Sequence, residues 1–281
     1  MEKPGQYGLR PKKSLGQNFL CDDNIVRKII SLAGLTPEAT VLEIGPGLGA
    51  LTVPLAKEAG QVVAVEKDPQ LVRVLEERLS SVGIRNVKMV EGDILKVDMT
   101  DLVGSCDRPV TVMGNLPYNI STPLLGRLIE ARKLISRAVL MFQSEVAARI
   151  AAPPGSRVYG AMSVMVQYHA GVRPLLKVPP SAFRPRPRVS SVVVEIDLRR
   201  PHRERASNEY EFERVVRGAF SHRRKTLVNS LRGGEWDRET LLEALMECSL
   251  DPGTRAESLG ISQFICLSEY LSRKNEEKGR V

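Results

Sequence analysis

The stretch Val110-Thr111-Val112-Met113-Gly114-Asn115-Leu116-Pro117-Tyr118 decides how this chain is read. Its first four residues have the character of a buried strand and stop at a glycine. A side-chain amide, a proline-stiffened peptide and an aromatic ring come next, and Ser121-Thr122-Pro123 then opens a helix. That order puts Asn115 to Tyr118 at the carboxyl end of a strand, where open α/β sheets hold their ligands. Asn115 offers a carbonyl acceptor, the Leu116 backbone a second, and Tyr118 a flat apolar face. Two acceptors beside a ring suit the exocyclic amine of a planar base.

Upstream, Thr40-Val41-Leu42-Glu43-Ile44 reads as a first buried strand. It runs into Gly45-Pro46-Gly47-Leu48-Gly49 and then a helix from Leu51. Glycines there permit a sharp turn and a close approach of ligand to backbone N–H groups. The spacing is G-x-G-x-G rather than G-x-G-x-x-G, which disfavours a dinucleotide and its pyrophosphate. A second strand, Gln61 to Val65, ends in Glu66, 21 residues after Gly45. A carboxylate at that distance takes the two hydroxyls of a ribose and would repel a 2′-phosphate. A third strand, Val87 to Val90, leads to Asp93, able to accept from an adenine amine, with the Ile94 N–H facing a ring nitrogen. Either acid alone reads as a solvated loop carboxylate, but both in this order mark an adenosine site. Asp22-Asp23-Asn24 caps an earlier helix. Just before it, Gln17-Asn18-Phe19 is on spacing either a hydrophobic staple or a ligand contact.

Downstream come a helix at Leu124 to Ile129, a fifth strand at Ala138 to Phe142, and a helix from Ser144. Val164 to Tyr168 and Val189 to Ile196 read as two last strands. This alternation predicts a doubly wound, Rossmann-like parallel sheet. Residues 171–190 hold Arg173, Lys177, Arg184, Arg186 and Arg188 with no acid. Alternating Arg and Pro there make an extended cationic ribbon suited to phosphates. Within it Phe183 either stacks on an unpaired base or plugs the core. Beyond Arg199-Arg200-Pro201 the pattern is helical only, so residues 1–200 form the expected α/β domain and 201–281 a small helical one. Residues 199–232 carry ten Lys/Arg against four acids, including Arg223-Arg224-Lys225. A solvated helix face is the ordinary reading of such a run, and its excess points to phosphate contacts.

The 281 residues, 42% hydrophobic and 26% charged, describe a globular protein, and a net charge of +8 raises the odds of a polyanionic partner. Cys21, Cys106, Cys248 and Cys266 are far apart, and with three histidines no zinc spacing arises. Four unpaired thiols in a cytoplasmic, monomeric protein are expected. Met1 to Gly5 lacks an apolar core for a signal peptide, and no 18-residue apolar run suggests a membrane span.

A Gly-rich turn, a ribose acid, an adenine acid and an amide-Pro-aromatic motif form a site for an adenosine-bearing cofactor facing a base amine. Methyl transfer from S-adenosyl-L-methionine fits this best. The N6 amine of adenine is a poor nucleophile because its lone pair is delocalised into the ring. Acceptors at Asn115 and Leu116 would favour an sp³-like nitrogen aimed at the methyl carbon. The base must leave its stack to lie against Tyr118.

Five blocks carry a resemblance. They are Lys13-Ser14-Leu15-Gly16-Gln17-Asn18-Phe19-Leu20, Glu43 to Gly49, Asn115 to Tyr118, Phe183-x-Pro185-x-Pro187-x-Val189-x-Ser191 and Phe220-x-x-Arg223-Arg224-Lys225-Thr226-Leu227. Together, over residues 12 to 270, they resemble the small-subunit rRNA adenine dimethyltransferases of the KsgA type. The resemblance implies dimethylation of two adjacent adenosines in a hairpin loop near the 3′ end of 16S rRNA within the 30S subunit. It also implies cofactor contacts at Gln17, Asn18, Leu20, Gly45, Gly47, Glu66, Asp93, Ile94 and Asn115. Asn115, Leu116, Pro117, Tyr118 and Phe183 would meet the base, and Arg184, Arg186, Arg188, Arg223, Arg224 and Lys225 the RNA. The large-subunit methyltransferases of macrolide resistance share the Asn-x-Pro-Tyr core. A DNA adenine methyltransferase and an RNA-binding assembly factor built on the same fold remain as alternatives.

Overall fold

A computed structural model describes residues 10–12, 15–117, 120–232, 234 and 236–279. The chain divides into two compact units. One holds the chain up to Ala147 together with Gly171–Arg199, and the other holds Ala148–Ala170 and the chain from Arg200.

The first unit is built on a seven-stranded sheet. Its strands are β2 (Thr40–Ile44), β3 (Gln61–Glu66), β4 (Val87–Glu91), β5 (Val110–Asn115), β6 (Ile135–Gln143), β7 (Gly171–Val178) and β9 (Ser191–Asp197), in the order β4-β3-β2-β5-β6-β9-β7. A two-residue strand β1 (Phe19–Leu20) pairs antiparallel with β8 (Phe183–Arg184) apart from this sheet. From β4 to β6 the strands are parallel. The order reverses between β2 and β5, which opens a crevice above their carboxyl ends.

The expected all-parallel sheet needs one correction: β9 runs antiparallel to both β6 and β7. Residues 179–190, between β7 and β9, hold a single 3-10 turn and β8 but no crossover helix, so the chain returns antiparallel. The helices of this unit are α1 (Asp23–Ala33), α2 (Thr52–Glu58), α3 (Pro69–Ser81), α4 (Met99–Val103) and α5 (Ser121–Glu130), and α6 (Ser144–Ile150) follows β6. Helix α1 starts as expected, with the Asp22 carboxylate accepting from the N–H groups of Asn24 and Ile25. Its buried face, Val26, Ile29 and Ile30, joins one core cluster with Leu20, Val41, Met113 and Val193.

The second unit contains α7 (Ala161–His169), α8 (Glu209–Ala219), α9 (Leu227–Leu231), α10 (Arg238–Glu247) and α11 (Ile261–Gly279). Two expectations fail here. Val164 to Tyr168 belongs to α7 rather than to a strand. Residues 148–170 also belong with the helical unit, not with the sheet as a boundary at 200 alone would have it. The cause is packing. Tyr159, Val164 and Tyr168 are buried among Phe212, Val216 and Phe264, and the Tyr168 ring stacks on Phe212 at 4.1 Å. Residues 164 and 168 share a helical face, so tertiary burial overrides the strand preference of Val and Tyr. The Gln167 amide, donating to the carbonyls of Ile150 and Ala152 at 2.9 Å, ties α7 to the preceding turn.

The expectation of four unpaired thiols is also corrected, because Cys248 and Cys266 form a disulfide. They are 18 residues apart, and α10 and α11 bring their Cα atoms to 5.8 Å, within bridging range. Among the described residues no helix is long and apolar enough to cross a membrane.

Candidate active site

The cleft lies over the carboxyl ends of β2 to β5. Gly114 faces Ile44 across the β2–β5 pair. A Cβ on Gly114 would sit 2.5 Å from the Ile44 carbonyl oxygen, a backbone atom that cannot step aside. Only glycine lets the two strands close up and deliver Asn115 to the cleft.

Gly45 and Gly47 adopt φ of +67° and +58°, the left-handed region that favours glycine. Their turn holds backbone over the carboxylate of Glu66, which ends β3. The Gly47 N–H donates to Glu66 Oε2 at 3.1 Å, and the Asp68 N–H to Oε1 at 2.9 Å. Burial pushes the Glu66 carboxyl up from its ordinary value, against the pull of the N–H groups of Asp68, Gly47 and Lys67. A carboxylate has about four acceptor positions, which leaves capacity beyond these N–H groups.

Asp93 follows β4 and lines the same cleft. The Lys67 ammonium donates to its Oδ2 at 2.8 Å and the Leu95 N–H to its Oδ1 at 3.0 Å. Lys67 above all, with the Leu95 N–H, holds the Asp93 carboxyl below the usual range in spite of partial burial. Ile44, Leu71 and Ile94 supply apolar walls.

The N-terminal segment closes one side. Gln17, Asn18 and Leu20 line the cleft. The Asn115 amide donates from Nδ2 to the Asn18 carbonyl at 2.9 Å. The donor half of this amide is thereby committed, and Oδ1 is left as the acceptor for the cleft that Asn115 lines. Leu116 and Pro117 line it as well. Tyr118 lies outside the described residues.

Phe183 is a correction. Only 1% exposed, it is packed in the core cluster with Leu20, Val26 and Val178, and it is not among the residues that line the cleft. Such a ring has no open face for a base, so it fills the core. Arg184, Arg186 and Arg188 are exposed in the first unit, and Arg223, Arg224 and Lys225 in the second. Elsewhere in the cationic run, Arg199, Arg205, Arg214 and Arg217 pair with Asp197, Glu209, Glu211 and Glu213, as a solvated face would.

Three residues escaped the sequence reading. Glu43, in the middle of β2, lines the cleft and is 1% exposed. Burial is the main force that pushes its carboxyl up to about 8, with Glu66 adding to it. Thr52 opposes the shift, although its hydroxyl makes no hydrogen bond of ordinary geometry. The signal was a charge inside an otherwise apolar strand. Asp68 and Lys12 form an ion pair at 2.7 Å beside Glu66. Asp68-Pro69 carried a helix-start signature that points to capping alone.

The donor set fits an adenosyl group that bears a sulfonium. Two carboxylates (Glu66 and Asp93) and the protonated carboxyl of Glu43 line the cleft, and among the described residues its lining cations are Lys67 and Arg78. Lys67 is engaged by Asp93, and Arg78 donates to the Leu48 carbonyl. Carboxylate acceptors suit hydroxyl and amine donors, and Lys67 and Arg78 are both engaged rather than presented to a pyrophosphate.

Comparison with known proteins agrees. The family model described as ribosomal RNA adenine dimethylase matches residues 8–273. Proteins named ribosomal RNA small subunit methyltransferase A are 46% identical to this chain in both Desulforapulum autotrophicum and Moorella thermoacetica. The first match covers 94% of this chain and 93% of the relative, and the second 95% and 94%. Among solved structures, a dimethyladenosine transferase from Plasmodium falciparum superposes with a TM-score of 0.76 at 28% identity, covering 92% of this chain and 98% of that one. The 23S rRNA methyltransferase ErmE superposes at 0.70, also at 28% identity, covering 90% and 99%. With the family model spanning nearly its whole length, the chain belongs to the ribosomal RNA adenine dimethylases, enzymes that depend on S-adenosylmethionine.

Proposed function

We propose that the chain dimethylates the N6 amines of two adjacent adenosines in a hairpin loop near the 3′ end of 16S rRNA, acting as a cytoplasmic monomer on the 30S particle. The observation that carries the reading is the Asn115 amide, whose Nδ2 is held by the Asn18 carbonyl so that Oδ1 serves as acceptor. S-adenosylmethionine supplies, when bound, a methyl group made electrophilic by its sulfonium. Glu66 takes the ribose diol, Asp93 and the Ile94 N–H take the adenine edge, and the backbone at Gly45 and Gly47 lets the ligand approach. Gln17, Asn18 and Leu20 close the remaining side.

At the other end, Asn115 Oδ1 and the Leu116 carbonyl accept from the target amine and hold its lone pair toward the methyl carbon. Pro117 stiffens this turn, and Tyr118 offers the face for the flipped base. No strong base is required, since the amine proton becomes acidic only after the methyl has bonded, and it then leaves to solvent. Arg184, Arg186, Arg188, Arg223, Arg224 and Lys225 contact phosphates and supply affinity without reading sequence. The higher identity to the small-subunit enzymes, 46% against 28% for the 23S enzyme, favours the small subunit.

The test is labelling of unmethylated 30S particles with methyl-labelled cofactor, followed by mapping of the modified positions. Asn115→Ala should abolish transfer. Undiminished transfer by that variant, or label entering duplex DNA instead, would sink the assignment.

A further inference from the structure

Asp68 is almost fully buried, 3% exposed, yet no step above uses it. It caps α3 (Pro69–Ser81) through the Gln70 N–H at 3.2 Å, a task that occupies one oxygen. The side chain does more than cap. Oδ1 also accepts from the Lys12 ammonium at 2.7 Å, and Oδ2 accepts from the Gln17 amide at 2.9 Å. Gln17 in turn accepts from the Lys12 N–H at 2.8 Å, so Lys12, Gln17 and Asp68 form a closed ring of contacts. Gln17 precedes Asn18, whose carbonyl holds the Asn115 amide. On its other side the Asp68 N–H donates to Glu66. An unbroken chain therefore runs from the ribose carboxylate to the amine grip: Glu66, Asp68, Gln17, Asn18, Asn115.

We propose that Asp68 is a positioning residue that clamps the segment bearing Lys12, Gln17 and Asn18 against the cleft, and so orients Asn115 for transfer. The proposal deepens the reading of Asn115 given above and rests on it. A carboxylate withdrawn from water and holding two side-chain donors fixes a segment far better than an exposed ion pair would. Site residues held by such a supporting shell keep the sub-ångström placement that transfer demands. With the clamp broken, the segment can leave the cleft, and both ends of the site suffer. The cofactor loses its contacts at Gln17 and Asn18, and the Asn115 amide loses the partner that fixes its orientation.

The test uses the full chain with Asp68→Asn, Lys12→Met and Lys12→Arg. Asn caps a helix as well as Asp does, so Asp68→Asn removes the clamp and leaves α3 capped. Lys12 is 40% exposed, so Lys12→Met reads the clamp in a folded protein even if the Asp68 variant misfolds. S-adenosylhomocysteine affinity, measured by calorimetry without RNA, should weaken about tenfold in Asp68→Asn and Lys12→Met, the size of one charge-assisted contact. The turnover rate at saturating cofactor should fall too, and Lys12→Arg should restore both to within about twofold. Parent-like affinity and turnover in Lys12→Met would overturn the clamp. Asn115→Ala separates this from the functional reading through transfer alone, which it should abolish whatever its S-adenosylhomocysteine affinity. If it transfers normally, the amine grip is wrong, whatever the clamp variants do to binding.

Discussion

Glu43 makes a quantitative prediction possible. It lies inside β2, is 1% exposed, and has an oxygen with no hydrogen-bond partner. Burial holds its carboxyl at about 8, well above the value that it has in an unfolded chain. Between pH 5 and pH 8 the native protein therefore keeps a proton that the unfolded chain has released. Native stability must fall as pH rises across that window, by about 1.4 kcal/mol per pH unit for a fully retained proton. The limit from pH 5 to pH 8 is about 4 kcal/mol, and water entering the open cleft brings the expected value nearer 2 kcal/mol. Glu43→Gln keeps the shape and removes the charge. Urea unfolding followed by circular dichroism at pH 5, 6, 7 and 8 should find the variant level with the parent at pH 5. At pH 8 it should be about 2 to 4 kcal/mol more stable. Other titrating groups cancel in the difference between the two proteins. Parallel pH profiles would refute the reasoning, since they would mean that Glu43 ionises in the native cleft without penalty.

Gly114→Ala should cost about 1 to 3 kcal/mol by forcing β5 away from the Ile44 carbonyl, and transfer should fall further than cofactor affinity because Asn115 moves with the strand. The Cys248–Cys266 disulfide closes a span of 18 residues, for which chain entropy gives about 3 kcal/mol. A reductant should therefore lower the unfolding midpoint reported by the fluorescence of Trp236, the one tryptophan, which is buried in the helical unit. Arg186→Ala with Arg188→Ala should weaken rRNA binding at every sequence and reduce the salt slope by about 2, with S-adenosylhomocysteine affinity unchanged.

The parts legible in the sequence were those in which one short segment carries its own signal. β2 occupies Thr40–Ile44, where the apolar run placed it, and Asp22 caps α1 as its position before a helical stripe implied. Glu66 and Asn115 are legible because each ends a strand, and Asp93 because it closely follows one, positions with geometric meaning in an open sheet. What escaped depends on partners distant in sequence. Lys12 and Asp68 are 56 residues apart, and neither looks unusual alone. α7 was misread because its Val and Tyr residues favour a strand locally, and only Phe212, Val216 and Phe264, residues far along the chain, make a helix the better burial. Phe183 could be read either way from its arginine neighbours, and the core it fills comes from Leu20, Val26 and Val178.

On the proposed roles, strand order also sets how these residues would hold a cofactor. In sequence the site groups run Gly45, Glu66, Asp93, Asn115, but the sheet places β4, β3, β2 and β5 side by side. In space they are therefore met as Asp93, Glu66, Gly45, Asn115. Parallel strands stand about 4.8 Å apart, so three intervals separate the first group from the last by about 14 Å. On those roles, the acceptor for an adenine edge would sit at one end of this row and the ribose carboxylate next to it. The glycine turn follows, where backbone is bare, and the amide for a target amine stands at the far end. As proposed, Asp93 would hold the purine of an adenosyl group at one end of the row, and Asn115 would meet the target amine at the other. The reversal between β2 and β5 makes this arrangement possible. Without it, β5 would continue past β4, and Asn115 would flank the adenine edge instead of facing the end where the methyl group is carried.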